Sequence, residues 1–238
     1  MKIALIGYGK MGHAIEEIAV GRKHEIVLRV SIDNLEDNTI ENIQQADVAI
    51  EFTGPDSAFD NVNKFFEAGV PVVCGSTGWL SRYDEAVWNC KEQNGALLYA
   101  SNFSIGVNIF FEINKNLARL MASQTEYNPT IEEIHHTQKL DAPSGTAITL
   151  AEQILEVNAI KKKWVLNNSS DPSELKITAK RIDPAAGTHI IRYHSDIDDV
   201  EIMHIAHNRK GFALGAVLAA EYIAGQRGIF SMQDVLGL

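Results

Sequence analysis

The residues best suited to chemistry cluster in Glu133-Ile134-His135-His136-Thr137-Gln138-Lys139-Leu140-Asp141-Ala142-Pro143-Ser144-Gly145-Thr146-Ala147. Histidine exchanges protons near neutral pH because its ordinary pKa lies near 6.5, and Lys139 adds fixed positive charge close by in sequence. Pro143 favours an extended residue before it, followed by a turn. Ser144 is placed to cap a helix and leave the amides of Gly145, Thr146 and Ala147 free. A free helix N-terminus attracts carboxylate or phosphate. The stretch therefore reads as a cationic, anion-binding loop. Adjacent histidines at a strand end are also found as plain surface residues, or with one ring in the core. They can suggest metal as well, but no H-E-x-x-H spacing accompanies them. His204 and His207 fall on opposite faces of a regular strand, and no metal is expected.

A second constellation is Gly7-Tyr8-Gly9-Lys10-Met11-Gly12, a G-x-G-x-x-G. Gly7 allows a tight turn, Gly9 lets backbone approach a pyrophosphate, and Gly12 lets helix pack on strand. Alone the motif is weak. Here it follows a strand pattern and opens a helix pattern, and Asp33 ends the next strand where a ribose-binding acid belongs. Asn34 follows Asp33 where an arginine would favour a 2′-phosphate, so the pair tilts the reading towards NADH over NADPH. Lys10 could reach a phosphate or equally be a solvated lysine near a helix start. Gly75-Ser76-Thr77-Gly78 and Ala100-Ser101-Asn102-Phe103 each follow a strand pattern, where Rossmann-type sheets present ligands. Glu51-Phe52-Thr53 is similar, although Phe52 could equally be core.

The elements that must position these residues alternate over the first hundred positions. Strand patterns cover residues 2–6, 25–31, 46–52, 71–74 and 96–100, and helical spacing covers 11–20, 55–68 and 81–93. Alternation of this kind implies crossover units and a parallel sheet. The pattern then changes. Residues 107–121 have helical spacing, 130–135 look like a strand and 145–157 like a helix. After a polar stretch at 167–174 come β-like runs at 175–182, 189–194 and 200–207, before a helix at 212–224 and a short C-terminal turn of helix. Consecutive strands without intervening helices point to an antiparallel or mixed sheet in a second domain.

Composition narrows the partners. The 238 residues suffice for one large or two small domains, and the 45% hydrophobic content supports a sizeable core. A formal charge of −10 argues against nucleic acid, which needs a basic face. An anionic substrate would need a local cationic site against that field. No apolar run approaches the roughly 20 residues of a membrane span. Neither a basic leader nor a small-residue cleavage site precedes the first strand pattern, so no signal peptide and a cytoplasmic location are expected. Cys74 and Cys90 fit no metal or redox spacing and read as reduced core residues.

The His-His followed three residues later by lysine and then D-A-P-S-G-T-A resembles the signature of the 4-hydroxy-tetrahydrodipicolinate (dihydrodipicolinate) reductase family. The glycine loop, G-S-T-G, A-S-N-F-S-I-G-V-N and the closing G-F-A-L-G-A-V-L-A-A-E-Y resemble it in order, so the similarity spans nearly the whole chain. It implies that His135 is the catalytic proton donor/acceptor and Lys139 a second proton donor. It implies that His136 binds substrate, and that the backbone of Gly145 and Thr146 holds a substrate carboxylate. Gly75 to Thr77 and Ala100 to Phe103 would contact the cofactor. Thr137-Gln138 departs from the usual Arg-His, Thr130 from the usual glutamate, and the chain is shorter than many members.

The resemblance further implies NADH- or NADPH-dependent reduction of a small cyclic dicarboxylate imine in lysine and diaminopimelate biosynthesis, by a homotetramer joined through its substrate-domain sheets. The expected architecture is α/β. A Rossmann-like dinucleotide-binding domain (1–104 and 209–238) would carry an inserted α/β substrate-binding and oligomerisation domain with a mixed open sheet (105–208). Two rivals remain at this level. One is another Rossmann-fold amino-acid-pathway dehydrogenase, which would share the glycine loop but not D-A-P-S-G-T-A. The other is a non-catalytic NAD(H) sensor, which would have no need of His135 and Lys139.

Overall fold

The structure, a computed structural model, describes residues 1–208 and 210–238. It divides into two compact units, Met1–Ile105 with Lys210–Leu238, and Gly106–Arg209. The re-entry point expected at 209 falls on the one residue outside the description.

The first unit runs β1 (Lys2–Ile6), α1 (Lys10–Gly21), β2 (Glu25–Val30), α2 (Ile40–Ile43), β3 (Val48–Glu51), α3 (Pro55–Ala68), β4 (Val72–Cys74), α4 (Tyr83–Glu92) and β5 (Ala96–Tyr99). The second contributes α5 (Ile105–Met121), β6 (Asn128–His135), α6 (Gly145–Val157), β7 (Lys163–Leu166), β8 (Glu174–Arg181), β9 (Gly187–His194) and β10 (Asp199–Ala206). The chain then returns to the first unit with α7 (Lys210–Ile223), β11 (Gly228–Phe230) and α8 (Met232–Leu236).

In the first unit six parallel strands lie in the order β11-β5-β4-β3-β1-β2. Strands β1, β3 and β4 are buried almost throughout, as expected for parallel strands covered on both faces. Ala4, Ile6, Ala49 and Val72 face a core with Val62, Phe65 and Phe66 of α3 and Ala86 of α4. Ile3, Leu5, Ile50 and Val73 face the opposite core with Ile15 of α1 and Ala213, Ala216 and Ala220 of α7. The short residues of α7 let it lie close against the sheet. Cys74 and Cys90 are both buried and free. Strand β11 pairs with β5 in a segment where only helix was expected. Its three residues are too few to show a period of two.

In the second unit five strands lie in the order β10-β9-β6-β8-β7. The pairs β10·β9 and β9·β6 are antiparallel, whereas β6·β8 and β8·β7 are parallel, so the sheet is mixed. Strand β7 precedes the polar stretch and was also unexpected. It is a four-residue edge strand with no buried residue. Ile131, Leu175, Ile177, Ile191 and Tyr193 on one sheet face pack with Phe110 and Ala118 of α5 and Leu150, Ala151 and Ile154 of α6. Among the described residues, no helix is long and apolar enough to cross a membrane.

Candidate active site

In the first unit a cavity of about 780 Å³ opens beyond the carboxyl ends of β1, β2 and β3. This is where the strand order reverses about β1, the place at which such sheets bind ligands. Gly7, Tyr8, Gly9, Lys10 and Met11 line it, together with Asp33, Ile32, Leu35 and Thr53. Gly7 has φ +95°, and a Cβ there would meet the Phe52 carbonyl oxygen at 2.2 Å. At Gly9 a Cβ would meet nothing within 4 Å, so the backbone beside the first turn of α1 is open to an incoming group. Gly12 is buried one turn further on. An open cradle at a helix N-terminus fits a pyrophosphate.

Asp33 is exposed at the cavity rim, its amide held by Ser31 Oγ at 3.1 Å. Asn34 turns away from that role. Its Oδ1 accepts from the Ser31 amide (2.8 Å) and hydroxyl (3.0 Å), and its Nδ2 donates to Arg29 O (2.9 Å) and Asp37 (2.8 Å). Arg29 is committed to Glu16, which also takes the Tyr8 hydroxyl. The Gly75 to Thr77 and Ala100 to Phe103 segments follow β4 and β5 at the same edge of the sheet but outside the cavity lining. The Phe103 ring is 2% exposed and packs at 5.6 Å from the Phe52 ring. Its side chain is therefore core, and only its backbone could meet a cofactor. Beneath Thr53, the fully buried Glu51 accepts from the Thr53 amide at 3.0 Å and from the Cys74 thiol at 3.1 Å. Burial, reinforced by the Glu51 carboxylate, pushes the Cys74 pKa well up, so the thiol stays protonated and acts as a donor.

In the second unit the inward face of β6 presents Ile131, Glu133 and His135 in alternation. Register brings Arg181, at the end of β8, beside His135, and His189 of β9 opposite Glu133. Glu133 is fully buried. Its Oε1 accepts from Arg181 at 3.0 Å and its Oε2 from the Ser144 amide at 3.1 Å. His135 Nδ1 lies 3.3 Å from the same Oε2. The His189 ring stands edge-on to His135 at 5.2 Å, with its Nε2 3.1 Å from Ser144 Oγ. Burial alone would raise the pKa of Glu133. The hydrogen-bonding groups of His135, Ser144 and Arg181 outweigh it and hold the pKa at about 2. His189 is pushed down to about 3, first by burial and then by the neighbouring His135, so its ring is neutral at physiological pH.

Three donor atoms of Glu133, His135 and His189 lie within 4.8 Å of one another, close enough for one ion. Arg181 already neutralises Glu133 beside this trio, which weakens it as a home for a divalent ion. Glu133, Arg181, Ser144 and His189 form a hydrogen-bonded network, and His135 Nδ1, which makes no hydrogen bond, stands in charge contact with it.

Arg181 also ties down the loop that follows, donating to Asp141 O at 2.6 Å and Lys139 O at 3.3 Å. Lys139 Nζ lies 2.8 Å from each Asp141 carboxylate oxygen, so Asp141 offsets the positive charge expected there. Thr137 is bonded to Asp183 through both its amide and its hydroxyl. Ser144 caps α6, but its Oγ accepts from the Ala147 amide at 3.2 Å. That amide is therefore not available to a ligand, contrary to the expectation from sequence. Gly145 is exposed at the first turn of α6, and Thr146 and His136 are half-buried. His204 lies within β10 and His207 just beyond its end, so the two do not share a regular strand.

Glu133, Arg181 and His189 were not singled out from the sequence. Glu133 left a signal, a carboxylate on the apolar phase of the strand that carries His135. Arg181 and His189 left none, because only strand register places them here.

Comparison with known proteins matches residues 1–103 to the model of the N-terminus of dihydrodipicolinate reductase and residues 106–236 to that of its C-terminus. A 4-hydroxy-tetrahydrodipicolinate reductase of Christiangramia forsetii is 52% identical over 236 residues, 99% of this chain and 98% of the relative. One of Neisseria meningitidis is 35% identical, over 92% of this chain and 81% of the relative. The solved structure of a dipicolinate-bound dihydrodipicolinate reductase from Paenisporosarcina sp. superposes with TM-score 0.77 at 22% identity, covering 98% of each chain, a likeness of fold. With both halves matched and a half-identical relative over its full length, the chain belongs to the dihydrodipicolinate reductase family of NAD(P)H-dependent oxidoreductases.

Proposed function

We propose that the protein reduces 4-hydroxy-tetrahydrodipicolinate, through dihydrodipicolinate, to tetrahydrodipicolinate in lysine and diaminopimelate biosynthesis. The observation that carries the reading is the joining of His135, the Lys139 loop and the N-terminus of α6 by one buried carboxylate. Glu133 holds Ser144 at the helix start and, through Arg181, the backbone of Lys139 and Asp141. A dicarboxylate needs an anion site and a proton source together, and this network holds both.

When bound, the reduced nicotinamide supplies hydride to the ring carbon conjugated with the C=N bond. The chain's residues do the rest. Amides at Gly145 and Thr146 hold a carboxylate at the positive end of α6. His136 contacts substrate. The Lys139 ammonium exchanges Asp141 for the ring's developing negative charge and is a second proton source, and His135 delivers the proton.

Cofactor contacts are assigned to Gly7, Tyr8, Gly9, Lys10, Met11, Gly12 and Asp33, to Gly75, Ser76 and Thr77, and to Ala100, Ser101, Asn102 and the Phe103 backbone. NADH is the favoured form, because Asp33 stands at the rim while Arg29 is engaged by Glu16. Lys10 is the one feature in favour of a phosphate. A homotetramer is inferred through the outward face of the second sheet. There Met203 (53% exposed) pairs in register with Ile190, and Ile205 (47% exposed) lies on the row of Ile134.

The test is consumption of NADH by purified protein with substrate generated in place. Oxidation that depends on that substrate supports the reading. Binding of NADH without substrate-dependent oxidation would leave a sensor.

A further inference from the structure

Given that reading of His135, we propose that Glu133 is the positioning residue of the proton transfer, fixing the His135 proton on Nδ1 and leaving Nε2 as the atom that exchanges with substrate. Three observations support it. First, Glu133 sits two residues before His135 on the same inward strand face, and its Oε2 is 3.3 Å from Nδ1. An ionised carboxylate only accepts hydrogen bonds, so it selects the ring form that bears a proton on the facing nitrogen. Second, Glu133 cannot move away. Arg181 from β8 and the Ser144 amide at the start of α6 hold its two oxygens from different elements. Third, Nε2 is not the nitrogen facing Glu133; it lies beside Gly187 on β9, where even an added Cβ would crowd it at 3.2 Å. One edge of the ring thus meets a fixed anion and the other a backbone position that carries no side chain.

The titratable groups around His135 are Glu133 on β6, Arg181 on β8 and the neutral His189 on β9, with Lys139 of the loop and His204 of β10 acting on His189, and Asp141 of the loop acting on Glu133. Among the described residues only Glu133 is anionic in direct contact with the ring. Removing its charge leaves Arg181 beside the ring without its carboxylate, which disfavours the imidazolium, whereas Lys139 keeps Asp141.

Glu133→Gln keeps the size of the side chain and removes the charge. In the full chain it should leave NADH affinity unchanged, lower kcat at least tenfold, and move the alkaline limb of kcat/KM to lower pH by about 1 to 3 units, the range of a lost opposite charge. A folded Glu133→Gln protein whose limb stays at the wild-type pH would overturn the proposal, since a purely structural carboxylate changes amplitude and not the limb. If the variant does not fold or turns over too slowly to profile, the wild type decides. In ¹⁵N-histidine-labelled protein, with His135 identified by the signal lost in His135→Gln, neutral His135 should carry its proton on Nδ1. A proton on Nε2 would overturn the proposal. The two readings fail separately. Normal kcat in His135→Gln removes the proton-transfer role itself, whereas an inactive His135→Gln with an unmoved limb in Glu133→Gln removes only the positioning role.

Discussion

At the scale of single residues, the structure changes what two substitutions would report. Lys139 is paired with Asp141 through both carboxylate oxygens, so its charge is already committed before substrate arrives. Lys139→Ala should lower kcat by about 10²-fold or more while melting temperature and NADH affinity stay near wild type. Unchanged kcat and KM would take the lysine out of the reaction. For cofactor choice, introducing arginine at Asn34 would be a poor test, because that side chain makes four hydrogen bonds inside its own loop. Asp33→Ala is the cleaner probe. It should weaken NADH more than NADPH and bring the two kcat/KM values together or reverse them. A wild-type preference for NADPH that Asp33→Ala leaves intact would show that Lys10 outweighs the carboxylate.

At the scale of elements, the cluster in the second unit joins β6, β8, β9 and α6 through a buried ion and a neutral histidine, and this makes stability depend on pH. Glu133 has a folded pKa of about 2, below its unfolded value, so its contribution is present above that unfolded value and is lost as pH falls towards 2. His189 folds as the neutral ring with a pKa of about 3, well below the roughly 6.5 of an unfolded histidine. The unfolded chain therefore binds more protons than the folded one below about pH 6.5, and stability declines from there towards pH 3. His189→Asn should flatten the fall in melting temperature between about pH 6.5 and 4. A slope equal to wild type would show that His189 is not the titrating group. Much of this level was legible in the sequence. Pro55 and the start at Gly145 set the helix starts of α3 and α6, and the apolar alternation marked β6 and β9. The cluster was not, because Arg181 and His189 lie 48 and 56 positions after Glu133 along the chain and meet it only through parallel and antiparallel register. Strands β7 and β11 escaped for a different reason, being too short to show a period.

At the scale of the whole molecule, the two units have separate cores, and the proposed halves of the chemistry divide between them, the dinucleotide cavity in one and the proton and anion groups in the other. The glycine loop and D-A-P-S-G-T-A point to both proposed halves from the sequence, because each motif is a contiguous run whose glycines, cap and charges act locally. The proposed assembly face leaves less trace, since it mixes Met203 and Ile205 with paired charges such as Lys180–Glu132 and Arg192–Glu201. Replacing both Met203 and Ile205 with glutamate should place like charges in that face and shift the mass measured by light scattering from tetramer towards smaller species. A tetramer that survives the double substitution would mean that subunits meet elsewhere.

His135 is the residue proposed to handle the proton when this chain reduces its substrate, and kcat of folded His135→Gln with substrate generated in place reads that role most directly. Glutamine keeps a hydrogen-bonding side chain of similar reach but exchanges no proton near neutral pH. Turnover should fall by about 10²- to 10⁴-fold, with NADH affinity unchanged because the glycine loop belongs to the other unit. A folded His135→Gln protein with the wild-type kcat would mean that another group supplies the proton.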